Sequence, residues 1–292
     1  MKVEVVETIK NDNIDMIRFV LEDVSLELAN GFRRIILSEV PCMAVDEVIF
    51  LENDSPLFDE IIAHRLGLIP LKSDIENYNL PNQCDCGGVG CTLCRAELTC
   101  TIQADLDGTL VKSKDLISTD PNIVPVNDKI IIAKLQKGSS LEFEAYTRLG
   151  IGRDHAKWQP VSTVGFGNFP DVTIDSKKCQ SCSNQCIAGD RCPESLIKFG
   201  GNKAKLIKEY WKECTVCKSC AKYCPEEAIE VNEVSNKFIF VVEGTGALPI
   251  KTILIKALEI FQEKVEEFQG NLANKELFGL EFIILSFSFY NL

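Results

Sequence analysis

The sequence has little positive charge, few histidines and no long apolar segment. Lys and Arg number 31 against 43 Asp and Glu in 292 residues, a formal net charge of -12. Proteins bind polyanions mainly through Lys and Arg placed on phosphates, and no basic run stands out against this acidic background, so direct DNA binding is not expected. Hydrophobic residues make up 46% of the chain, which excludes an intrinsically disordered protein.

The segments that direct a protein to a membrane are also missing. Residues 1–12 contain no apolar stretch of the kind found in signal peptides. The longest apolar stretches, such as residues 282–285, are far shorter than the roughly 18 residues that span a bilayer. We therefore expect a cytoplasmic protein with no membrane partner. Because the cytoplasm is reducing, its cysteines are expected to bind metals rather than to form disulfides.

Sequence patterns typical of enzymes are absent. The chain contains no nucleophile elbow, no phosphate-binding loop and no pair of histidines at metalloprotease spacing. Neither His64 nor His155 neighbours a candidate nucleophile, so a core or interface role is expected for each. The glycines at 150–152 and 244–246 lack a full dinucleotide-binding fingerprint and are interpreted as turns. No catalytic residue is predicted.

Cysteine, by contrast, is abundant, and eight of the 14 cysteines lie between residues 179 and 224. One run follows the spacing C-x2-C-x2-C-x3-C-P of bacterial ferredoxins, in which three thiolates bind one [4Fe–4S] cluster and the fourth binds the other. That run is Cys214, Cys217, Cys220 and Cys224. An earlier run has the same order of parts with two wider gaps: Cys179, Cys182, Cys186 and Cys192.

In ferredoxins with two clusters, the two runs exchange their fourth ligand. One [4Fe–4S] cluster would then be bound by Cys192, Cys214, Cys217 and Cys220. A second would be bound by Cys179, Cys182, Cys186 and Cys224. The regular spacing favours the first cluster, whereas the wider gaps leave the total open between one and two. Zinc is the weaker alternative in this block, since zinc sites usually use two separated ligand pairs.

A second set of four thiols surrounds the dipeptide Gly87-Gly88: Cys84, Cys86, Cys91 and Cys94. Glycine lets a loop reverse sharply, so the four sulfurs can meet at one tetrahedral centre. The pattern predicts a structural zinc site; reduced thiols in a loop and an iron–sulfur centre remain alternatives. Cys42 and Cys100 have no partner at ligand spacing and are interpreted as core residues.

The apolar pattern predicts an α+β fold. Residues 2–9 and 14–21 are predicted to form a hairpin. A helix capped by Ser25 and ended by Pro41 follows, with Ala29, Phe32, Ile36 and Val40 on its apolar side. A second helix is predicted from Pro56 to Gly67, and residues 95–147 are predicted to form several antiparallel strands.

A long amphipathic helix is predicted after a strand at 238–246 and Pro249. Its apolar residues recur at i, i+3, i+4 and i+7 as far as Gly270: Ile250, Ile253, Leu254, Ala257, Leu258, Phe261, Val265 and Phe268. This stripe belongs either to the core or to a surface shared with a partner. Residues 279–292, which are apolar, are given no role.

Four segments together resemble the α-type RNA polymerase subunits. Residues 28–48 resemble the helix and strand at that family's assembly interface, and residues 64–71 and 152–161 are similar to two further family segments. Residues 240–261, FVVEGTGALPIKTILIKALEIF, resemble the C-terminal half of the family's dimerisation domain. The cysteine-rich insert at 170–228 narrows the resemblance to the archaeal-type branch of the family, which commonly carries a ferredoxin-like insert.

The resemblance implies a discontinuous fold with three modules. Residues 1–40 and 229–292 would form the α-subunit-like dimerisation domain. Residues 41–168 would form a β-rich insertion domain containing the zinc loop 84–94, and residues 169–228 a ferredoxin-like iron–sulfur domain.

The implied function is that of a non-catalytic assembly subunit of a DNA-dependent RNA polymerase. It would pair with a small paralogous L-type subunit and then recruit the large catalytic subunits and other assembly subunits. Arg33 and Arg34 match an arginine pair in the family's helix and are candidate contacts with a large subunit. The alternative is a ferredoxin-type electron-transfer subunit of an oxidoreductase, which rests on the eight cysteines alone.

Overall fold

The computed structural model describes residues 1–10, 15–180, 186–200 and 203–274. In this part of the chain the helices are α1 (Leu26–Ser38), α2 (Asp59–Gly67), α3 (Ile187–Asp190), α4 (Ser219–Lys222) and α5 (Ile250–Asn274). The strands are β1 (Lys2–Lys10), β2 (Asp15–Glu22), β3 (Pro41–Asn53), β4 (Ala96–Gln103), β5 (Thr109–Lys112), β6 (Ile117–Ser118), β7 (Ile131–Leu135), β8 (Ser140–Ile151), β9 (Val161–Ile174), β10 (Ile197–Gly200), β11 (Lys203–Leu206) and β12 (Ile229–Gly244).

The first sheet is antiparallel and has the strand order β1-β2-β12-β9. The predicted hairpin of β1 and β2 is confirmed, with its turn at 11–14 outside the described residues. Alternation along the strands places Phe19 of β2 and Phe240 of β12 on one face, where their rings stack with centroids 5.2 Å apart. Helices α1 and α5 cover this face, and together they form one hydrophobic core.

Strand β9 joins the same sheet by pairing with β12 from Val161 to Ile174. The sequence pattern did not predict this strand, and the proposed boundary at residue 168 falls within it. Pro170 is accommodated because β9 lies at the edge of the sheet, where a missing backbone N–H breaks no inner ladder.

Helix α1 begins and ends close to the predicted residues. The backbone N–H of Leu28 donates to the Ser25 hydroxyl at 3.3 Å, which confirms the cap. Ala29, Phe32 and Ile36 are buried as expected. Helix α5 begins at Ile250 and continues past Gly270 to Asn274, four residues beyond the predicted end. A single helical glycine costs only about 1 kcal/mol relative to alanine, so it does not end the helix.

Residues between α1 and β9 form a separate, β-rich core. Its main sheet has the order β3-β8-β4-β6, beside the smaller pair β5-β7, which confirms the antiparallel strands predicted at 95–147. Helix α2 packs Ile62 and Leu66 into this core. The predicted start of α2 at Pro56 was three residues too early, because the side chains of Asn53 and Ser55 hydrogen-bond with backbone groups between Ser55 and Leu57.

The cysteine-rich segment repeats one local arrangement twice. A short helix, α3 or α4, is followed by Cys-Pro-Glu, then by a residue with positive φ, Ser195 or Glu227, and then by a strand. The two copies share a small core that includes Ala188, Ile197, Ala204 and Ile229. Within the described residues, no helix is both long and apolar enough to cross a membrane.

Candidate metal centres and assembly surface

The loop at 84–94 brings four sulfur atoms together. Cys84 Sγ lies 3.4 Å from Cys86 Sγ and 3.5 Å from Cys91 Sγ, and Cys94 Sγ lies 3.5 Å from Cys86 Sγ and 3.8 Å from Cys91 Sγ. Sulfurs around a tetrahedral zinc are about 3.8 Å apart, since Zn–S bonds are about 2.3 Å long. The four cysteines therefore form a group whose geometry can hold one metal ion.

Glycines make the reversal of this loop possible. Gly87 and Gly88 have φ values of +65° and +83°, which side chains with a Cβ adopt with strain. The reversal is fixed by backbone hydrogen bonds from Gly87 N–H to the Cys84 carbonyl and from Cys94 N–H to the Cys91 carbonyl. The Cys91 N–H also donates to Cys94 Sγ at 3.3 Å. Sequence spacing thus correctly predicted which four thiols meet.

The thiols in this group differ in acidity. A hydrogen bond from the Gly90 backbone N–H, followed by the side-chain hydrogen bond between Cys84 and Cys86, lowers the pKa of Cys86 to about 6. Burial raises the pKa of Cys94. Since the thiolate is the form that binds metals, Cys86 is prepared to act as a ligand at neutral pH.

Arg95, which directly follows the loop, ties it to the β-rich core. Its guanidinium carbon lies 3.3 Å from the ring centroid of Tyr146 on β8, and its Nη2 lies 3.6 Å from Glu47 Oε2 on β3. This cation–π contact was not predicted, because the two residues are 51 positions apart and neither belongs to a motif.

A second group of cysteines surrounds a cavity at one end of the cysteine-rich segment. Cys192, Cys214, Cys217 and Cys220 line it, together with Pro193, Leu196 and Val231. Burial raises the pKa of Cys220, and the charges of Cys192, Cys214 and Cys217 raise it further. Among the described residues, only the loop at 84–94 brings three or more such ligand atoms all within 4.8 Å of one another, so no three of these four sulfurs lie that close together.

The remaining predicted ligands are only partly described. The buried Cys179 Sγ accepts a hydrogen bond from Ala204 N–H at 3.2 Å. Cys224 Sγ accepts one from Ala228 N–H at 3.4 Å, just as Cys192 Sγ accepts one from Leu196 N–H at 3.5 Å in the other copy of the repeat. Cys186 is half-buried, and Cys182 lies outside the described residues.

The cysteines without ligand spacing, and the histidines, are structural or exposed. Cys42 and Cys100 are buried, which confirms their predicted place in the core, and burial raises the pKa of Cys42 to about 11. His155 Nδ1 accepts a hydrogen bond from Lys157 N–H at 3.0 Å and so caps a short turn. His64 and His155 are both exposed, so neither is a core residue, and an interface role for each stays a prediction.

An apolar groove crosses the helix-covered side of the first sheet. It is lined by Met1, Val3, Val5, Ile17, Phe19, Leu21, Val24, Leu28, Ala29, Phe32, Leu254, Leu258 and Phe261. Val3 and Val5 on β1 are more than half exposed. The alternation of valine with Lys2 and Glu4 along β1 was the available signal for this face, although no surface was predicted for the strand.

The apolar stripe of α5 is partly buried and partly exposed, and of its exposed residues Leu258 lines the groove. Ile250, Ile253 and Ala257 are buried, whereas Leu258, Val265 and Phe268 remain exposed. The core alternative is confirmed for the buried part of the stripe, whereas a surface shared with a partner stays a prediction for the exposed part. On α1, Arg33 donates from Nε and Nη2 to Asn30 Oδ1 at 3.2 and 3.0 Å, and Arg34 is exposed.

Comparison with known proteins gives one consistent family. A family model described as the RNA polymerase Rpb3/Rpb11 dimerisation domain matches residues 18–265. The DNA-directed RNA polymerase subunit Rpo3 of Methanosarcina acetivorans is 39% identical over 251 residues, which cover 86% of this chain and 91% of the relative. The Rpo3 subunit of Archaeoglobus fulgidus is 40% identical with the same coverage. That of Pyrococcus horikoshii is 40% identical over 88% of this chain and 94% of its own length.

Proposed function

We propose that this chain consists of three modules with separate roles. The chain belongs to the Rpb3/Rpb11 family of RNA polymerase subunits and, within it, to the Rpo3 subunits. The chain is an assembly subunit of a DNA-directed RNA polymerase and is not catalytic on its own. It pairs with a small subunit and joins other polymerase subunits. The observation that carries this function is the family match from residue 18 to 265. The match includes residues of β2 and α1 from the N-terminal part of the chain, and of β12 and α5 from its C-terminal part, which share one hydrophobic core.

The electron-carrier alternative is not supported, because the matched family and the relatives are polymerase subunits. Residues 1–40 and 229–292 form the dimerisation domain in our proposal, residues 41–168 the insertion domain, and residues 169–228 the ferredoxin-like domain. Strand β9 connects the insertion domain to the ferredoxin-like domain, and it pairs with β12 along its length. It therefore belongs to the first sheet, β1-β2-β12-β9, which we call the dimerisation sheet. We place the protein in the cytoplasm, where the polymerase works.

The groove between β1, β2, α1 and α5 is our candidate surface for the small L-type partner, a paralogue that would present an apolar face of its own. Continuous apolar surface of this kind marks protein interfaces. The exposed part of the α5 stripe extends the same surface. Arg33 and Arg34, on the same helix as Phe32, would contact a large catalytic subunit. Neither contact requires DNA, in keeping with the net charge of -12.

The loop at 84–94 is our candidate zinc site. The support is the set of sulfur–sulfur distances between 3.4 and 3.8 Å, together with the lowered pKa of Cys86. The ion would be held by Cys84, Cys86, Cys91 and Cys94. Zinc in such a site supplies folding energy to a loop that has little core of its own. The loop would thereby keep its fixed position on the insertion domain.

Cys192, Cys214, Cys217 and Cys220 are our candidate ligands for a [4Fe–4S] cluster. In such a cluster each thiolate binds a different iron, so the sulfurs surround a cavity rather than touch, as these four do. The duplicated arrangement of helix, Cys-Pro-Glu and strand supports a second site of the same kind at Cys179, Cys182, Cys186 and Cys224. The cluster would stabilise the small module.

A binding experiment tests the assembly function. The tagged chain is co-expressed with the small subunit of the same polymerase, and the recovered complex is quantified. We expect Val5→Glu, in the groove, to prevent recovery of the small subunit. Leu106→Glu replaces a leucine that is also exposed but lies in the insertion domain, and it should leave recovery unchanged. A Val5→Glu chain that still recovers the small subunit would contradict the assigned surface.

Metal analysis after anaerobic purification tests the two cofactor proposals separately. We expect about one zinc per chain, with about four iron if one cluster forms and about eight if both form. Cys86→Ser should remove the zinc and leave the iron. Cys217→Ser should remove iron and leave the zinc. Any other distribution would show that a ligand set has been assigned to the wrong metal.

A further inference from the structure

The dimerisation sheet has a second face, on the side away from α1 and α5. Successive residues of a strand point to opposite faces, so Arg18, Val20 and Glu22 of β2 lie opposite Phe19 and Leu21. Glu22 pairs with Lys237 of β12, with Oε1 and Nζ 3.6 Å apart. The segment that contacts this second face comes from the cysteine-rich module.

That segment is residues 210–213, which directly precede Cys214. The ring of Trp211 stacks on Phe169 of β9 with centroids 5.2 Å apart and an interplanar angle of 26°. The backbone N–H of Val172 donates to the Tyr210 hydroxyl at 3.2 Å. Glu213 Oε1 lies 3.2 Å from Arg18 Nη1. Three of four consecutive residues are thus attached to the sheet.

The same segment is firmly connected to the first cysteine of the ferredoxin-type run. Cys214 N–H donates to the Tyr210 carbonyl at 3.0 Å, and Glu213 N–H donates to the same carbonyl at 3.3 Å. Residues 210–214 therefore form one hydrogen-bonded turn. A displacement of this turn from the sheet would move Cys214 as well.

On the sheet, the two main contacts are themselves supported by neighbouring strands. Arg18 also lies 3.7 Å from Glu7 Oε2, and a bulge in β1 between Val5 and Glu7 brings Glu7 opposite Arg18. The Arg18 side chain is 18% exposed, so this network is only partly open to solvent. Lys237 Nζ lies 4.2 Å above the ring of Phe169, on the strand next to β9.

We propose that residues 210–213 act as a strut that holds the ligand loop Cys214–Cys220 against the dimerisation sheet, and that Arg18 and Phe169 are positioning residues for the iron–sulfur cluster. The inference rests on the proposed cluster at Cys192, Cys214, Cys217 and Cys220. Loss of the cluster requires the ligand loop to open, and the strut opposes that opening from outside the loop. Because the linkage is reciprocal, a bound cluster also holds the strut on the sheet.

The test measures cluster retention in the full chain together with its small partner, purified anaerobically. An iron chelator is added, and the loss of the cluster's visible absorption is followed over time. We expect Phe169→Leu to lose iron about fivefold faster, the factor that corresponds to about 1 kcal/mol for an aromatic pair. Arg18→Gln should lose it about twofold faster, since Glu213 is largely exposed and its ion pair is screened.

Further variants separate positioning from a general loss of structure. Adding Glu213→Gln to Arg18→Gln should have little further effect, because the pair is already broken. Arg18→Lys, which keeps the charge, should restore most of the retention. The matched controls are Arg153→Gln, which breaks the pair with Glu39, and Phe50→Leu, which removes a ring packed on Phe143. Both should release iron at the parent rate.

The outcomes distinguish this inference from the function on which it rests. A parent chain that contains no iron overturns both the cluster and the strut. If the parent holds a stable cluster and Phe169→Leu releases iron no faster than Phe50→Leu, the strut is refuted while the cluster stands. Faster iron release by Phe169→Leu and Arg18→Gln, with both control variants releasing iron at the parent rate, supports the strut.

Discussion

Replacing Leu258 and Ile253 by alanine, one at a time, would separate the two roles of helix α5. The two residues lie on the same apolar stripe, but Ile253 is 0% exposed and Leu258 is 48% exposed in the unpartnered chain. The first contributes to the core of the dimerisation domain. The second keeps about half of its surface exposed, on the face that we propose for the small partner subunit.

The expected magnitudes follow from these exposures. Truncating a fully buried isoleucine to alanine costs about 2–5 kcal/mol, and Ile253→Ala should lower the free energy of unfolding of the isolated chain by that amount. Complete burial of a leucine is worth about 2 kcal/mol. Since half of Leu258 is already buried, Leu258→Ala should cost about 1 kcal/mol in the chain's own stability and about another 1 kcal/mol in partner binding, or about fivefold in Kd.

Two measurements on each variant check this prediction. Denaturant unfolding of the isolated chain gives the free energy of unfolding, and titration with the small subunit gives Kd. Leu258→Ala should weaken binding while Ile253→Ala, still folded, binds within about twofold of the parent. The reasoning would be refuted if Leu258→Ala left Kd unchanged, or if it destabilised the isolated chain as much as Ile253→Ala.

The other predictions concern the loop at 84–94, pH dependence and a helix cap. Chelation of zinc, or Cys86→Ser, should lower the thermal midpoint of the insertion domain, as seen by calorimetry, while Cys42→Ala should leave the zinc content unchanged. Burial raises the pKa of Cys42 to about 11 from an ordinary 9.0, because the folded state disfavours the thiolate. The contribution of the buried neutral thiol to stability is therefore complete below pH 9 and is lost as the pH rises to 11. Relative to Cys42→Ala, the free energy of unfolding of the parent should therefore fall by about 2–3 kcal/mol over that interval, as urea unfolding at several pH values would show. If the unfolding free energies of the two proteins changed in parallel with pH, the raised pKa of Cys42 would be contradicted. Ser25→Ala removes the cap of α1 and should cost about 1 kcal/mol in unfolding free energy, whereas Ser162→Ala, on edge strand β9, should cost less.

Local patterns in the sequence predicted the features that depend on neighbours along the chain. Ser25 capped α1 as expected, since a cap needs only the next three residues. The four thiols of the 84–94 loop meet because glycines between them permit the reversal. The extent of α5 was underestimated, because a glycine in a helix is a weak stop signal when the flanking turns are strong helix formers.

Features that depend on distant partners could not be predicted in this way. Strand β9 contains Gly165, Gly167 and Pro170, which weaken its strand signal, and it forms only because β12 is available beside it. The contact of Trp211 with Phe169 joins residues 42 positions apart that belong to no common motif. Likewise, the periodicity of α5 shows where its apolar face lies, but the packing of α1 and β12 decides how much of that face is buried.

The position of β2 has a consequence for how tightly the hairpin register is specified. Phe19 faces the helices and the groove, whereas its neighbour Arg18 faces Glu213, next to Cys214 of the cysteine-rich module. A slip of β2 by one residue would turn every side chain to the other face of the sheet. It would place a charge in the apolar core and withdraw the arginine from the cysteine-rich module in the same step. The apolar packing of Phe19 and the ion pair of Arg18 therefore select the same register. A misaligned hairpin would lose both sets of contacts.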